Sequence, residues 1–113
     1  MKEIKAIIKP FMLEHVLHSL RGIEELPGDT VSSVTGWGKA RGEGATDPVQ
    51  EGAYTLARKT KLEIVVSDAV APVVVDAILH SAHTGIAGDG KIFVYEVSDA
   101  IKIKTGEHGE GAV

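Results

Sequence analysis

The chain contains no cysteine. Disulfides and thiolate chemistry are therefore excluded, and a reducing compartment fits. Positive charge is not in excess. Twelve Lys and Arg stand against sixteen Asp and Glu, a formal net charge of −4. A protein that binds nucleic acid by neutralising phosphates needs the opposite balance. Aromatic residues are only 4% of the chain. Phe93 and Tyr95 stand two apart, but the RNP pattern and a basic surface are missing, so both read as packing residues and not as base-stacking platforms. No apolar run is long enough to span a bilayer. The opening MKEIKAIIKP alternates charged and aliphatic residues where a secretion signal would carry an apolar core. These absences predict a soluble, cytoplasmic protein with no nucleic-acid partner and no direct membrane insertion.

Catalytic spacings are absent too. Glu63, Asp68, Asp76 and Asp89 offer carboxylates, but nothing in their spacing sets a pair around a substrate. No nucleophile has a base at a recognisable distance. The expectation is a protein that is not an enzyme.

What is present is enough for one domain. The 113 residues are 43% apolar, so a real core is within reach at this size. Alternating Ile4, Ala6 and Ile8 predict a first strand over 2–9. Pro10 ends it and suits a helix start. Leu13, Val16, Leu17 and Leu20 recur at i, i+3, i+4 and i+7, the spacing of an amphipathic helix. Pro27, Gly28 and Asp29 make a turn, and β-branched Thr30, Val31, Val34 and Thr35 predict a second strand to Trp37. Residues 61–66, KLEIVV, are a third strand. Ser67 and Asp68 offer a helix cap, and Val74, Val75, Ile78, Leu79 and Ala82 predict a second amphipathic helix ending near His83. A fourth strand runs from the apolar Ile92, Phe93, Val94 and Tyr95 to Ser98. Ile101 to Lys104 alternates again, as a short extra strand would, and the polar tail 105–113 is expected to be mobile.

The order β-α-β-β-α-β is the split-βαβ arrangement of an α+β, ferredoxin-like fold. Both helices would cover one face of an antiparallel sheet. Ile7, Phe93 and Tyr95 would partly face the other side, which points to an oligomer.

Two stretches stand outside this pattern. From Gly38 to about Arg58 the apolar period vanishes, and a structureless insertion of that length is usually functional or disordered. Its flanking strands are expected to pair as a long hairpin. The second stretch is TGIAGDGKIFVYEV from Thr84. Gly85, Gly88 and Gly90 fall close together, and Lys91 follows. Glycine permits positive φ and close approach, and successive amides beside a lysine can hold an anion. The spelling satisfies GxxxxGK, but Ile92 stands where a P-loop needs Ser or Thr, and a strand follows where a helix should. A phosphate cradle and a tight turn needing glycine for geometry alone both remain open at this point.

Nearly the whole chain resembles the PII signal-transduction proteins. KEIKAIIKPF, the TGWG before the long insertion, LEIVV after it, AHTGIAGDGKIFVYEV and IKIKTGE look like that family's blocks, in the family's order. The resemblance implies a homotrimer with ATP or ADP bound between neighbouring subunits; AMP and magnesium stay open. It implies that residues 39–58 are the T-loop, the surface that engages a protein target such as a transporter, a metabolic enzyme or a transcription factor. Carried over position by position, Gly88, Asp89, Gly90 and Lys91 match the phosphate-contacting loop. Gly38 and Lys39 match a second phosphate-side contact. Lys102 and Lys104 match two basic residues reaching in from the neighbouring subunit. The family usually has Arg at positions 39, 102 and 104, so the bidentate fork is lost while the charge is kept. Thr30, Glu63 and Val65 match positions around the adenine. Lys59 matches the lysine that meets the carboxylate of 2-oxoglutarate.

Two departures qualify the resemblance. Ala40 stands where 2-oxoglutarate-sensing members carry Gln, and a methyl group offers no oxygen ligand. Gly52 falls where many bacterial members carry a modifiable tyrosine, and Tyr54 is out of register. Both argue against 2-oxoglutarate sensing and uridylylation, and leave room for another effector such as a small anion. Three alternatives to a nucleotide-dependent regulator are a metal-sensing module, a small-anion-sensing module and a small acylphosphatase-type hydrolase of the same fold. The metal alternative would use His15 with His18, or His80 with His83, each pair one helical turn apart with Glu14 or Asp76 nearby. His108 has no partner that the sequence names.

Overall fold

The computed structural model describes residues 1–39 and 54–113. Six regular elements follow the expected order: β1 (Lys2–Ile8), α1 (Leu13–Leu20), β2 (Thr30–Lys39), β3 (Tyr54–Val66), α2 (Ala71–Ala82) and β4 (Gly90–Glu96). The strands form one antiparallel sheet in the order β2-β3-β1-β4. This is the ferredoxin-like α+β arrangement.

The period of two in β1 sets the layers. Ile4, Ala6 and Ile8 are buried on the helix side with Leu62, Ile64 and Val66 of the paired β3. Val16 and Leu20 of α1 and Val74, Ile78 and Ala82 of α2 close the core. The opposite face carries Glu3, Lys5 and Ile7, flanked by Lys61 and Glu63 on one side and by Lys91, Phe93 and Tyr95 on the other. Phe93 and Tyr95 are 41% and 44% exposed. They do face the uncovered side, as their spacing predicted, and Lys5 Nζ sits 4.9 Å above the Tyr95 ring.

Four local expectations need correction. The hairpin is longer than the apolar pattern indicated: pairing runs from Thr30↔Glu63 out to Lys39↔Tyr54, so β3 begins at Tyr54 and not at Lys61. At this end Trp37 is 68% and Leu56 44% exposed, so backbone pairing continues where the burial that creates alternation has stopped. The long insertion is thereby reduced to residues 40–53, which lie outside the described residues along with Ala40 and Gly52. The second correction concerns the start of α2. Ser67 and Asp68 do not cap it with their side chains. The Ser67 carbonyl accepts the amides of Val70 and Ala71 at 3.2 and 3.1 Å, and Val70 is the N-cap. The Asp68 carboxylate instead meets the amino group of Met1 at 3.0 Å and Lys2 at 3.8 Å. That amino group holds its pKa below the usual carboxylate range.

Third, Leu79 is 57% exposed although the helical spacing assigned it to the core; Ala71 takes a buried place instead. Fourth, Ile101 to Lys104 forms no strand. A single antiparallel bridge joins Ile101 to His108, and the chain between them turns back on itself. The tail also carries a 3-10 turn at Glu110–Ala112.

The core assignment makes a paired prediction. Ile78→Ala removes a side chain with no exposure and should cost about 2–5 kcal/mol. Leu79→Ala, one position on, should cost less than about 1 kcal/mol. Urea denaturation midpoints check both, and equal losses would mean that α2 is rotated.

Candidate functional site

The glycine stretch is shaped first by one carboxylate. Helix α2 stops at His83, whose backbone is extended, and the chain must cross to the start of β4. Asp89 gathers that crossing. Its Oδ2 accepts the amides of Thr84 and Gly85, each at 2.9 Å, and its Oδ1 accepts the Thr84 hydroxyl. The Thr84 hydroxyl oxygen in turn accepts the Ile86 amide at 3.1 Å. Lys9 completes the cluster from the end of β1. It is only 4% exposed, and its Nζ lies 3.2 Å from Asp89 Oδ1, 3.1 Å from Thr84 Oγ1 and 3.3 Å from the Ile86 carbonyl. The Thr84 hydroxyl, with the amides and Lys9, holds the Asp89 carboxyl well below the ordinary carboxylate range.

Glycine is demanded most sharply at position 90. Its φ is +99°, and a Cβ there would lie 1.7 Å from the Ile7 carbonyl oxygen. Sheet pairing with β1 alone explains this residue. Gly88, at φ +94°, has more room: an added Cβ would meet only the tips of Lys59 and Lys9. Lys59 reaches across from β3 and donates to the Gly88 carbonyl at 2.8 Å. The carbonyls of Ile86 and Gly88, which would repel an anion, are thus engaged by two ammonium groups.

The loop forms one wall of an open cleft of about 680 Å³. Gly36, Trp37 and Gly38 of β2 stand opposite it, and Ile7 and Phe93 supply apolar floor. Of the site residues expected from sequence, the cleft collects Gly38, Lys59, Gly88, Asp89, Gly90 and Lys91. Lys39 is the next residue of β2, at its last rung. Thr30 and Glu63 are cross-strand partners, and Val65 pairs with Glu3, all on the same open face. Glu63 is four residues along β3 from Lys59, roughly 13 Å away at strand rise. Lys102 and Lys104 are exposed, follow the far end of β4 and are not among the residues that line the cleft.

His80 and His83 turn to different partners. His80 Nδ1 lies 2.8 Å from the Asp76 carbonyl oxygen and 3.4 Å from its carboxylate, within its own helix. His83 Nδ1 instead faces Asp89 at 3.6 Å. Among the described residues no group of three or more His, Asp or Glu could hold a metal. Sequence reasoning missed Lys9 and Thr84. The five-residue spacing from Thr84 to Asp89 was the available signal for the second. Lys9 offered none, because a lysine closing a strand before proline looks solvent-facing.

The family described as Nitrogen regulatory protein P-II matches residues 1–107. The chain belongs to the P-II family. It is 43% identical to the nitrogen regulatory protein P-II of Haemophilus influenzae over 113 residues, covering all of both chains. It is 42% identical, again over the full length of both chains, to its counterpart from Rhodospirillum rubrum and to nitrogen regulatory protein P-II 1 of Escherichia coli strain K12. P-II proteins are signal-transduction regulators and not enzymes.

Two outcomes follow from the loop geometry. Gly90→Ala should destabilise the protein by more than about 2 kcal/mol, since both φ and the Ile7 carbonyl oppose it. Gly38→Ala, with nothing within 4 Å of the added Cβ, should be close to neutral in the same denaturation assay. The second outcome concerns acid. Asp89 has its pKa lowered on folding, so its contribution is complete above the unfolded carboxylate value of about 3.9 and is lost as pH falls through the folded value. The stability gap between wild type and Asp89→Asn should be constant above about pH 5 and shrink in stronger acid.

Proposed function

We propose that this chain is an ATP- and ADP-binding regulator that acts as a homotrimer and controls a partner protein through residues 40–53, which leave from the end of the β2–β3 hairpin. The observation that carries the reading is the shared cleft: the glycine loop, Lys91 and Gly38 at the base of the hairpin line one opening. Lys91 would supply a point charge to the phosphates, with the backbone of Gly88, Asp89 and Gly90 approaching closely. Gly38 and Lys39 would touch the terminal phosphates and also begin the loop. A γ-phosphate present in ATP and absent in ADP would then bias that loop through contacts made in only one state. Thr30, Glu63 and Val65 would lie along the adenine.

Oligomerisation has physical support in the separation of the basic residues. Gly90 and Glu96 are the two ends of β4, roughly 20 Å apart at strand rise. Lys102 and Lys104 beyond Glu96 would therefore serve a neighbour's cleft, and the exposed Phe93, Tyr95 and partly buried Ile7 would be covered between copies. Lys59, already turned toward the loop, would remain the contact for a small anionic effector. The lack of an oxygen ligand at Ala40 disfavours 2-oxoglutarate with magnesium, and Gly52 disfavours uridylylation. No helix among the described residues is long and apolar enough to cross a membrane.

Calorimetric titration of ATP into wild type and Lys91→Ala tests the reading. Loss of a charge-assisted phosphate contact should weaken binding by roughly ten-fold or more. Equal affinity in the two proteins would overturn it.

A further inference from the structure

The loop that follows β4 carries Lys102 and Lys104, yet burial does not set its shape. Ile101 is 58% exposed and Ile103 fully exposed. Hydrogen bonds hold it instead. At the tip, the Lys102 amide donates to the Glu107 carbonyl at 2.8 Å, and the Gly106 amide donates to the Lys102 carbonyl at 2.7 Å. At the neck stands Asp99. Its Oδ1 accepts the amides of Ala100 at 2.9 Å and Gly109 at 3.2 Å. Its Oδ2 lies 2.7 Å from His108 Nδ1. The Gly109 amide also donates to the Ala100 carbonyl at 2.9 Å. A single carboxylate therefore joins the two ends of the segment 99–109.

We infer that Asp99 and His108 are positioning residues for the polyphosphate site: their pairing closes the neck of this loop and aims Lys102 and Lys104 at phosphates held by a second copy. The inference rests on the nucleotide reading above. Lysine needs such support. It carries a compact charge on a flexible stem and has no planar fork to fix its own geometry. A backbone already ordered beneath the stem lowers the cost of immobilising it on binding. His108 suits the task because its Nδ1 can donate to the carboxylate both in the protonated ring and in the neutral Nδ1–H tautomer. His108 is 64% and Asp99 45% exposed, so replacing either leaves the core untouched.

The test titrates ATP and AMP into wild type, His108→Ala, His108→Asn and Lys91→Ala, with thermal midpoints measured alongside. His108→Ala should weaken ATP binding roughly three- to ten-fold, with AMP affinity and thermal midpoint nearly unchanged, because AMP lacks the phosphates those lysines would hold. Asn places an amide nitrogen close to the Nδ1 position and should restore ATP affinity to within about two-fold of wild type. Unchanged ATP affinity in His108→Ala, beside a clear loss in Lys91→Ala, overturns the positioning role and leaves the nucleotide reading standing. Equal losses for ATP and AMP, or no restoration by Asn, also overturn it. A wild-type protein that binds no adenine nucleotide removes both.

Discussion

The fold and the candidate site meet in the carboxylate of Asp89. Two amides, a hydroxyl and a nearly buried ammonium converge on it. Lys9 comes from the end of β1, Thr84 from the end of α2, and Asp89 itself leads into β4. The cluster thus ties three elements at one corner of the sheet. The Lys9 ammonium, nearly buried, is tolerated only when its partners are in place. With them in place, the carbonyls that line the loop are turned toward lysine, and the cleft beside it keeps a positive character.

The same corner explains why so few glycines carry so much of the geometry. At position 90 the requirement comes from the neighbouring strand, with no ligand involved. At position 88 it comes from positive φ, with only side-chain tips nearby. Of the two explanations that the sequence left as rivals, strand geometry accounts for Gly90, while Gly88, two positions earlier, has no backbone crowding of that kind. Neighbouring strands that must be in register bring the backbone close at one of them, and the other remains where a ligand could approach.

Much of this was legible in advance. The alternation of Ile4, Ala6 and Ile8 and the helical spacing of Val16 with Leu20 and Val74 with Ile78 encode burial, and burial is what periodicity reports. The outer hairpin was not legible for the matching reason: Trp37 and Leu56, a cross-strand pair, are both exposed, so burial does not reveal their pairing. Asp68 misled because a carboxylate before a helix has more than one cation to choose, and the chain's own amino group stands closer. Leu79 shows the limit of counting by fours, because the buried stripe of α2 is narrower than the apolar pattern and leaves Leu79 outside it. Lys9 shows a further limit, since it is covered by a loop that begins 75 residues further on, at Thr84. His108 acquired a partner only once the chain was seen to turn at Gly106 and Gly109, both at positive φ.

The hairpin has one more implication. The rung Gly38↔Thr55 borders the cleft, and the next rung, Lys39↔Tyr54, is where residues 40–53 depart. Whatever the length of such a link, coupling between two binding events cannot run one way only. If nucleotide alters how a target is held at the loop, the target must alter how tightly nucleotide is held, by the same factor. The concentration at which such a regulator responds would then depend on how much target the cell contains, and would not be a constant of the isolated protein.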